Sequence, residues 1–234
     1  MRPRLLTTAG IAALAAIALM GGLVVAQPLL APTPKPLPPT SLGTEAEARA
    51  SIAASQAREE AYLRDFAARG LDPRALPRLR VAASALLPAS LAEAVRNADL
   101  IVSGKVSATK FDYRSGEPLT TSRFQVDEVL LERPTALNPG SAVEVVQIGG
   151  PTPRPDGTGA LLETDVSEVL LAPDAAILLL QWEPQVNAFR PLAGAGIYFI
   201  RNGRAEPEHS NRFGAAISGR TPAEVAAAIR KAMP

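Results

Sequence analysis

Between residues 100 and 207 the chain runs as a close succession of short alternating segments separated by turn residues, and few folds accommodate such a pattern. Leu100, Val102, Gly104 and Val106 alternate with Ile101, Ser103 and Lys105, the period of two that a half-buried strand requires. This predicts a first strand over 100–106 that continues through Phe111 and Tyr113. Further strands are predicted at 119–131, 142–148, 158–170 in broken form, 175–183, 188–192 and 196–207. Asn138-Pro139-Gly140, Pro155-Asp156-Gly157 and Asn202-Gly203 supply the reversals. The last is a two-residue hairpin signal, because both central residues of such a turn take positive φ. The expected fold is mainly β with flanking helices (α+β), a small antiparallel β-barrel, closed or partly open, over residues 90–207.

Three capping boxes mark the helices. Thr44-Glu45-Ala46-Glu47 opens an alanine-rich helix over 44–70, with Gly70 as its stop. Glu45/Arg49, Glu60/Arg64 and Asp65/Arg69 sit at the i,i+4 spacing, and only Tyr62, Leu63 and Phe66 form an apolar stripe. The first half of this helix is therefore expected in solvent and the second half docked on the barrel; no heptad supports a coiled coil. Ser90-Leu91-Ala92-Glu93 opens a short helix ending near Ala98. Thr221-Pro222-Ala223-Glu224, with proline at the first helical position, opens a terminal helix over 221–233 whose apolar face carries Val225 and Ile229.

Ahead of all this, residues 5–26 carry no charge and two hydroxyls, Thr7 and Thr8, directly behind Arg2 and Arg4. At about 1.5 Å per residue the run is long enough for the roughly 30 Å hydrocarbon core of a bilayer, and the arginines place the amino terminus on the cytoplasmic side. Residues 1–26 read either as an amino-terminal membrane anchor or as a signal peptide cleaved after Val24-Val25-Ala26, leaving Gln27 first. The length of the run leans toward the anchor. Both readings predict an extracytoplasmic protein, membrane-anchored in the one case and secreted or periplasmic in the other. Residues 27–43 form a proline-rich linker, with Pro28, Pro32, Pro34, Pro36, Pro38 and Pro39; proline fixes φ and removes backbone donors, which makes the segment an extended, semi-rigid stalk.

Three blocks carry a likeness to a known group: Ala98-Asp99-Leu100-Ile101-Val102-Ser103-Gly104-Lys105-Val106, then Phe124-Gln125-Val126-Asp127-Glu128-Val129-Leu130-Leu131, then Val143-Glu144-Val145-Val146-Gln147-Ile148-Gly149-Gly150, followed by the strand at 176–182. In order and spacing they resemble uncharacterised exported bacterial proteins in which a helix leads into a small closed barrel somewhat like the OB fold. The likeness covers roughly residues 90–205. It departs at Leu131-Glu132-Arg133-Pro134, where that group usually has a lysine and a glycine. The resemblance implies a fold and no activity.

Residues 27–234 hold 22 basic and 23 acidic side chains once Arg2 and Arg4 are set aside, so no electrostatic footprint for nucleic acid is expected. The chain has no cysteine, which excludes disulfides, thiolate metal sites and a lipid carried on a cleavage-site cysteine. Ser107-Ala108-Thr109-Lys110 has the serine-x-x-lysine spacing, but on a strand its two functional groups face opposite ways. His209 is the sole histidine and is read as part of a solvated loop. Asp127 and Glu128, adjacent on a strand, also point apart. Trp182, the sole tryptophan, is read as core or rim packing in preference to a ligand platform. Arg123, Glu128, Glu132 and Arg133 read as a solvated strand edge.

No catalytic, cofactor-binding or metal residue is therefore assigned, and no cofactor is expected. The leading expectation is a non-catalytic module, membrane-tethered through residues 5–26 if these are uncleaved, that binds a protein partner or another envelope component. The alternatives are an envelope hydrolase using carboxylates such as Asp99, Asp127 or Glu168, and a purely structural domain of a larger assembly.

Overall fold

The computed structural model describes residues 44–114, 117–133 and 140–233. The apolar run 5–26, the proline-rich linker 27–43, and Asn138 and Pro139 of one predicted reversal lie outside the described residues. Among the described residues, no helix is long and apolar enough to cross a membrane.

Helix α1, Glu45–Ala68, starts at a closed capping box: Thr44 Oγ1 accepts from the Glu47 amide at 3.3 Å, and the Glu47 carboxylate accepts from the Thr44 amide at 2.6 Å. Its first turns are exposed on all sides. Phe66 alone on this helix is buried, packed edge-on against Phe111 with ring centroids 6.2 Å apart and flanked by Tyr62 at 6.0 Å. Helix α2, Leu91–Asn97, has a half-formed box. Ser90 Oγ accepts from the Glu93 amide, but the Glu93 carboxylate accepts from Ala89 and not from Ser90. Helix α3, Pro222–Ala232, has a closed box and buries Val225, Ala226 and Ile229.

Ten strands follow in chain order: β1 Arg78–Val81, β2 Leu100–Arg114, β3 Glu117–Glu132, β4 Ala142–Ile148, β5 Gly150–Pro153, β6 Gly159–Thr164, β7 Ala175–Glu183, β8 Ala188–Pro191, β9 Ile197–Arg201 and β10 Arg204–Pro207. Seven form one sheet in the order β10-β9-β7-β2-β3-β4-β8, and β8 also pairs with β7. A second, three-stranded sheet runs β1-β6-β5. The β9–β10 hairpin turns at Asn202 (φ 52°) and Gly203 (φ 72°), the positive-φ pair that a two-residue turn demands. Gly149 (φ 128°) and Gly150 (φ 139°) make the corner at which the chain leaves the large sheet for the small one. A side chain on Gly149 would also meet the Leu162 carbonyl at 2.5 Å.

The expected antiparallel barrel, closed or partly open, is corrected to a seven-stranded sheet whose ring closes only in part, not a true barrel, and whose closing pair is parallel. The weak join is β4–β8, parallel and resting on the register pair Val145↔Phe189. Its limits are chemical. The Leu192 amide donates to the Leu179 carbonyl, and the β7–β8 register then turns Phe189 and Pro191 toward β4. Proline has no N–H to extend a ladder, while Asn187, at φ 51°, forms the turn that precedes β8.

Leu100, Val102, Val106, Phe124, Val126, Val143, Val145, Leu178, Leu180, Ile197 and Phe199 fill one face of the large sheet as a single apolar cluster. Ile101, Ile177, Leu179 and Tyr198, on the opposite face, pack under α2 and α3. The segment predicted as a broken strand over 158–170 ends as β6 at Thr164. Beyond it, Gln147 holds the chain by donating to the Glu168 carbonyl at 2.6 Å and accepting from the Leu170 amide at 2.9 Å.

Strands β1 and β5 were not expected. Pro77 precedes β1, and Pro151 and Pro153 lie within β5, residues that argue against a strand everywhere except at a sheet edge, where both strands stand. Of the group read as a strand edge, Arg123 lies between β2 and β4, opposite Ala108 and Glu144, whereas Glu128 and Glu132 lie beyond the last β3–β4 pair, Gln125↔Ala142, where β3 is paired with β2 only.

Candidate functional site

Ser107 and Asp99, both candidates for chemistry in the sequence, have structural employment of their own. Ser107 lies on β2, where its hydroxyl donates to the Arg123 carbonyl at 3.0 Å beside an irregularity in the β2–β3 register. Asp99 accepts from the Trp182 amide at 2.8 Å and so ties the start of β2 to the end of β7. Asp127 is exposed, and its neighbour Glu128 pairs with Arg230 on α3. Nothing brings Asp99, Asp127 and Glu168 together.

His209 and Glu168 do meet. One Glu168 oxygen accepts from the His209 amide at 2.9 Å and lies 3.1 Å from its ring Nδ1, while the other lies 3.5 Å from Arg78. Arg78 also reaches Glu163 at 2.5 Å. The Glu163 side chain is fully buried, with Oε2 unpaired. These contacts join β1, β6, the 165–174 loop and the segment after β10. His209 is therefore a clasp and not a free loop residue.

Glu208, next in the chain, is buried with its Oε1 on the amides of Gly196 at 2.8 Å and Ile197 at 3.3 Å, and its Oε2 has no partner. Burial pushes its pKa up to about 8 against the opposing pull of the backbone amides, and the nearby Glu168 carboxylate adds to the rise. Burial likewise raises the Tyr198 phenol to about 12, opposed by the Asn211 amide and reinforced by Glu208. The sequence reading missed Glu163 and Glu208. Glu163 had one signal, since its place two residues after Leu161 puts it on the buried face of β6. Buried groups sealed from solvent have no access to a substrate, and among the described residues no group of three or more His, Cys, Asp or Glu side chains is arranged to hold a metal ion.

The accessible chemistry lies along residues 78–86. All four residues of β1 are exposed; Leu79 is 40 % and Val81 37 % accessible, and Leu86 is fully exposed. The chain is fastened on either side of this stretch. The Ala83 amide donates to Asp165 at 2.8 Å, Leu87 packs near Gly194, and Pro88 is buried. Ala83, Ser84 and Ala85 then form one wall of a cavity of about 350 Å³. Its other walls include Val146 and Ile148 of β4, Arg190 and Pro191 of β8, and Trp182, so the cavity opens where ring closure fails. Trp182 is 41 % exposed and held edge-to-face on Phe189 at 5.1 Å, which makes it a rim residue. A second cleft of about 720 Å³ lies between α1 and β2, lined by Leu63, Phe66, Leu71, Phe111 and Tyr113 among others.

No family model matches this chain, and no curated protein matches it significantly.

Proposed function

We propose that the described body is a non-catalytic module that binds a protein partner in the envelope, carried there by residues 5–26 and displayed on the proline-rich linker. The observation that carries this reading is the row Leu79, Val81 and Leu86, exposed on a fastened, extended segment. Exposed apolar side chains gathered on one strand and its continuation, beside a cavity with an aromatic rim, are what a partner surface requires. Of the carboxylates invoked for hydrolysis, Asp99 is held by the Trp182 amide and Glu168 by His209 and Arg78, and the exposed Asp127 stands apart from both. The five-strand ring with one weak join supports the likeness to partly open barrels of the OB type, which lend their surfaces to many ligands.

The test is a random peptide display selection against the full-length chain in detergent micelles, counter-selected with a Leu79→Ser/Val81→Ser variant of unchanged circular dichroism. Enriched peptides that bind the parent and not the variant are expected. Failure to enrich any peptide, or equal binding to both proteins, removes the reading.

A further inference from the structure

Strand edges are the strongest unspent binding capacity of a β protein, because each unpaired N–H and C=O is already positioned for a ladder. Among the described residues, the outer edges of the terminal strands β10, β5 and β1 can be compared. That of β10 is occupied: the Ala205 amide donates to the Arg220 carbonyl at 2.7 Å, and the Gly219 amide donates to the Ala205 carbonyl at 2.9 Å. The β5 edge is blunted. The Arg154 amide donates to the Thr158 carbonyl, and the β5–β6 register then turns Pro151 and Pro153 outward, with no N–H to offer.

Among the described residues, no strand pairs with the outer edge of β1, and no proline lies within it. The Leu161 amide donates to the Pro77 carbonyl and the Asp165 amide to the Val81 carbonyl, each at 2.9 Å. In a parallel ladder alternate residues address the same neighbour, so the backbone groups of Arg78 and Arg80 point away from β6 and are free to pair. The two faces of this edge differ. Arg78 and Arg80 share one face with Leu161 and Glu163, while Leu79 and Val81 share the other with Leu162 and Thr164. Arg78 is neutralised by Glu163 and Glu168. Arg80, exposed on the same face, has no ion-pair partner among the described residues.

We infer that β1 accepts an extended partner strand that alternates acidic and apolar residues, its backbone completing the ladder, its carboxylates meeting Arg80 and its apolar side chains covering Leu79 and Val81. The inference rests on the proposed binding function and names the place and the chemistry of the partner. Main-chain bonds supply affinity in this kind of strand addition, and alternate side chains supply selectivity. A second copy of the chain is the wrong occupant. Residues directly opposite in an antiparallel pair lie on the same face, so β1 against β1 sets arginine against arginine, and like charges directly opposite are destabilising.

The experiment titrates the full-length chain in detergent micelles with fluorescein-labelled eight-residue peptides, read by anisotropy. One alternates valine and glutamate, one alternates valine and lysine, and one is the valine–glutamate peptide N-methylated at every second residue on the ladder-facing side. The valine–glutamate peptide is expected to bind at least tenfold more tightly than the valine–lysine peptide, methylation to abolish binding, and Arg80→Glu to reverse the charge preference without loss of circular dichroism. Equal binding of the two charge patterns, indifference to Arg80→Glu, or self-association of the chain through β1 overturns the inference. If display selection yields binders that ignore Arg80 and the methylated backbone, the binding function stands and this inference falls. If neither the library nor the probes bind, both fall.

Discussion

Glu208 shows how a single burial couples stability to pH. In the fold it titrates near 8, against an ordinary value of 4.5. Between those values the folded chain keeps a proton that the unfolded chain has lost. Its contribution to stability is thus complete below about pH 4.5 and drains away as the pH rises through about 8. Glu208→Gln should flatten the fall in melting temperature between pH 5 and pH 8 and raise it at pH 8, as thermal unfolding at the two pH values would reveal; an unchanged slope would assign the pH dependence elsewhere. Val102, fully buried in the sheet's apolar cluster, makes the opposite case. Val102→Asp places a carboxylate where it loses hydration and gains no partner, and the chain should lose its cooperative transition. Glu45→Ala, at an exposed first-turn position whose ion pair with Arg49 lies in solvent, should shift stability by less than about 1 kcal/mol in the same melts.

At the scale of elements, α1 divides into a solvated half and a docked half. Its anchoring contacts are Thr152 Oγ1 donating to Glu59 at 3.3 Å, and Phe66 seated on Phe111. Removing residues 27–57 should leave the melting temperature of the β body within a few degrees of the parent, whereas Phe66→Ala should cost about 3 kcal/mol, the usual penalty for emptying a buried aromatic site. Differential scanning calorimetry separates the two, and a body that unfolds on the truncation would make the exposed half of α1 part of the core. The capping boxes at Thr44 and Thr221 were legible because capping is local: a hydroxyl and a glutamate three residues on need only each other. The Asn202-Gly203 hairpin was legible for the same reason. Strands β1 and β5 were hidden by their prolines, because whether a proline is tolerated depends on which side of the strand is left without a neighbour, and that is a property of the sheet.

For the whole molecule, the proposed export from residues 5–26 makes a plain prediction. Fractionation of expressing cells should place the full-length protein with the membrane, and amino-terminal sequencing of a soluble form beginning at Gln27 would replace the anchor by cleavage. The sequence alone determined the period-two segments, the turns at 155–157 and 202–203, the helix starts and the absence of thiol chemistry, since each depends on residues within a few positions of one another. Only the tertiary structure decided that the ring closes in part, because Pro191 fails to donate only once β8 lies beside β4. It alone gathered Arg78, Glu163, Glu168 and His209 into one clasp across more than a hundred positions of chain. It also left β1 as the open edge: β10 lost its free groups to Gly219 and Arg220, and β5 turned its prolines outward. Such contacts join segments whose separation in sequence carries no local signal, and their energies exist only after the layers have packed.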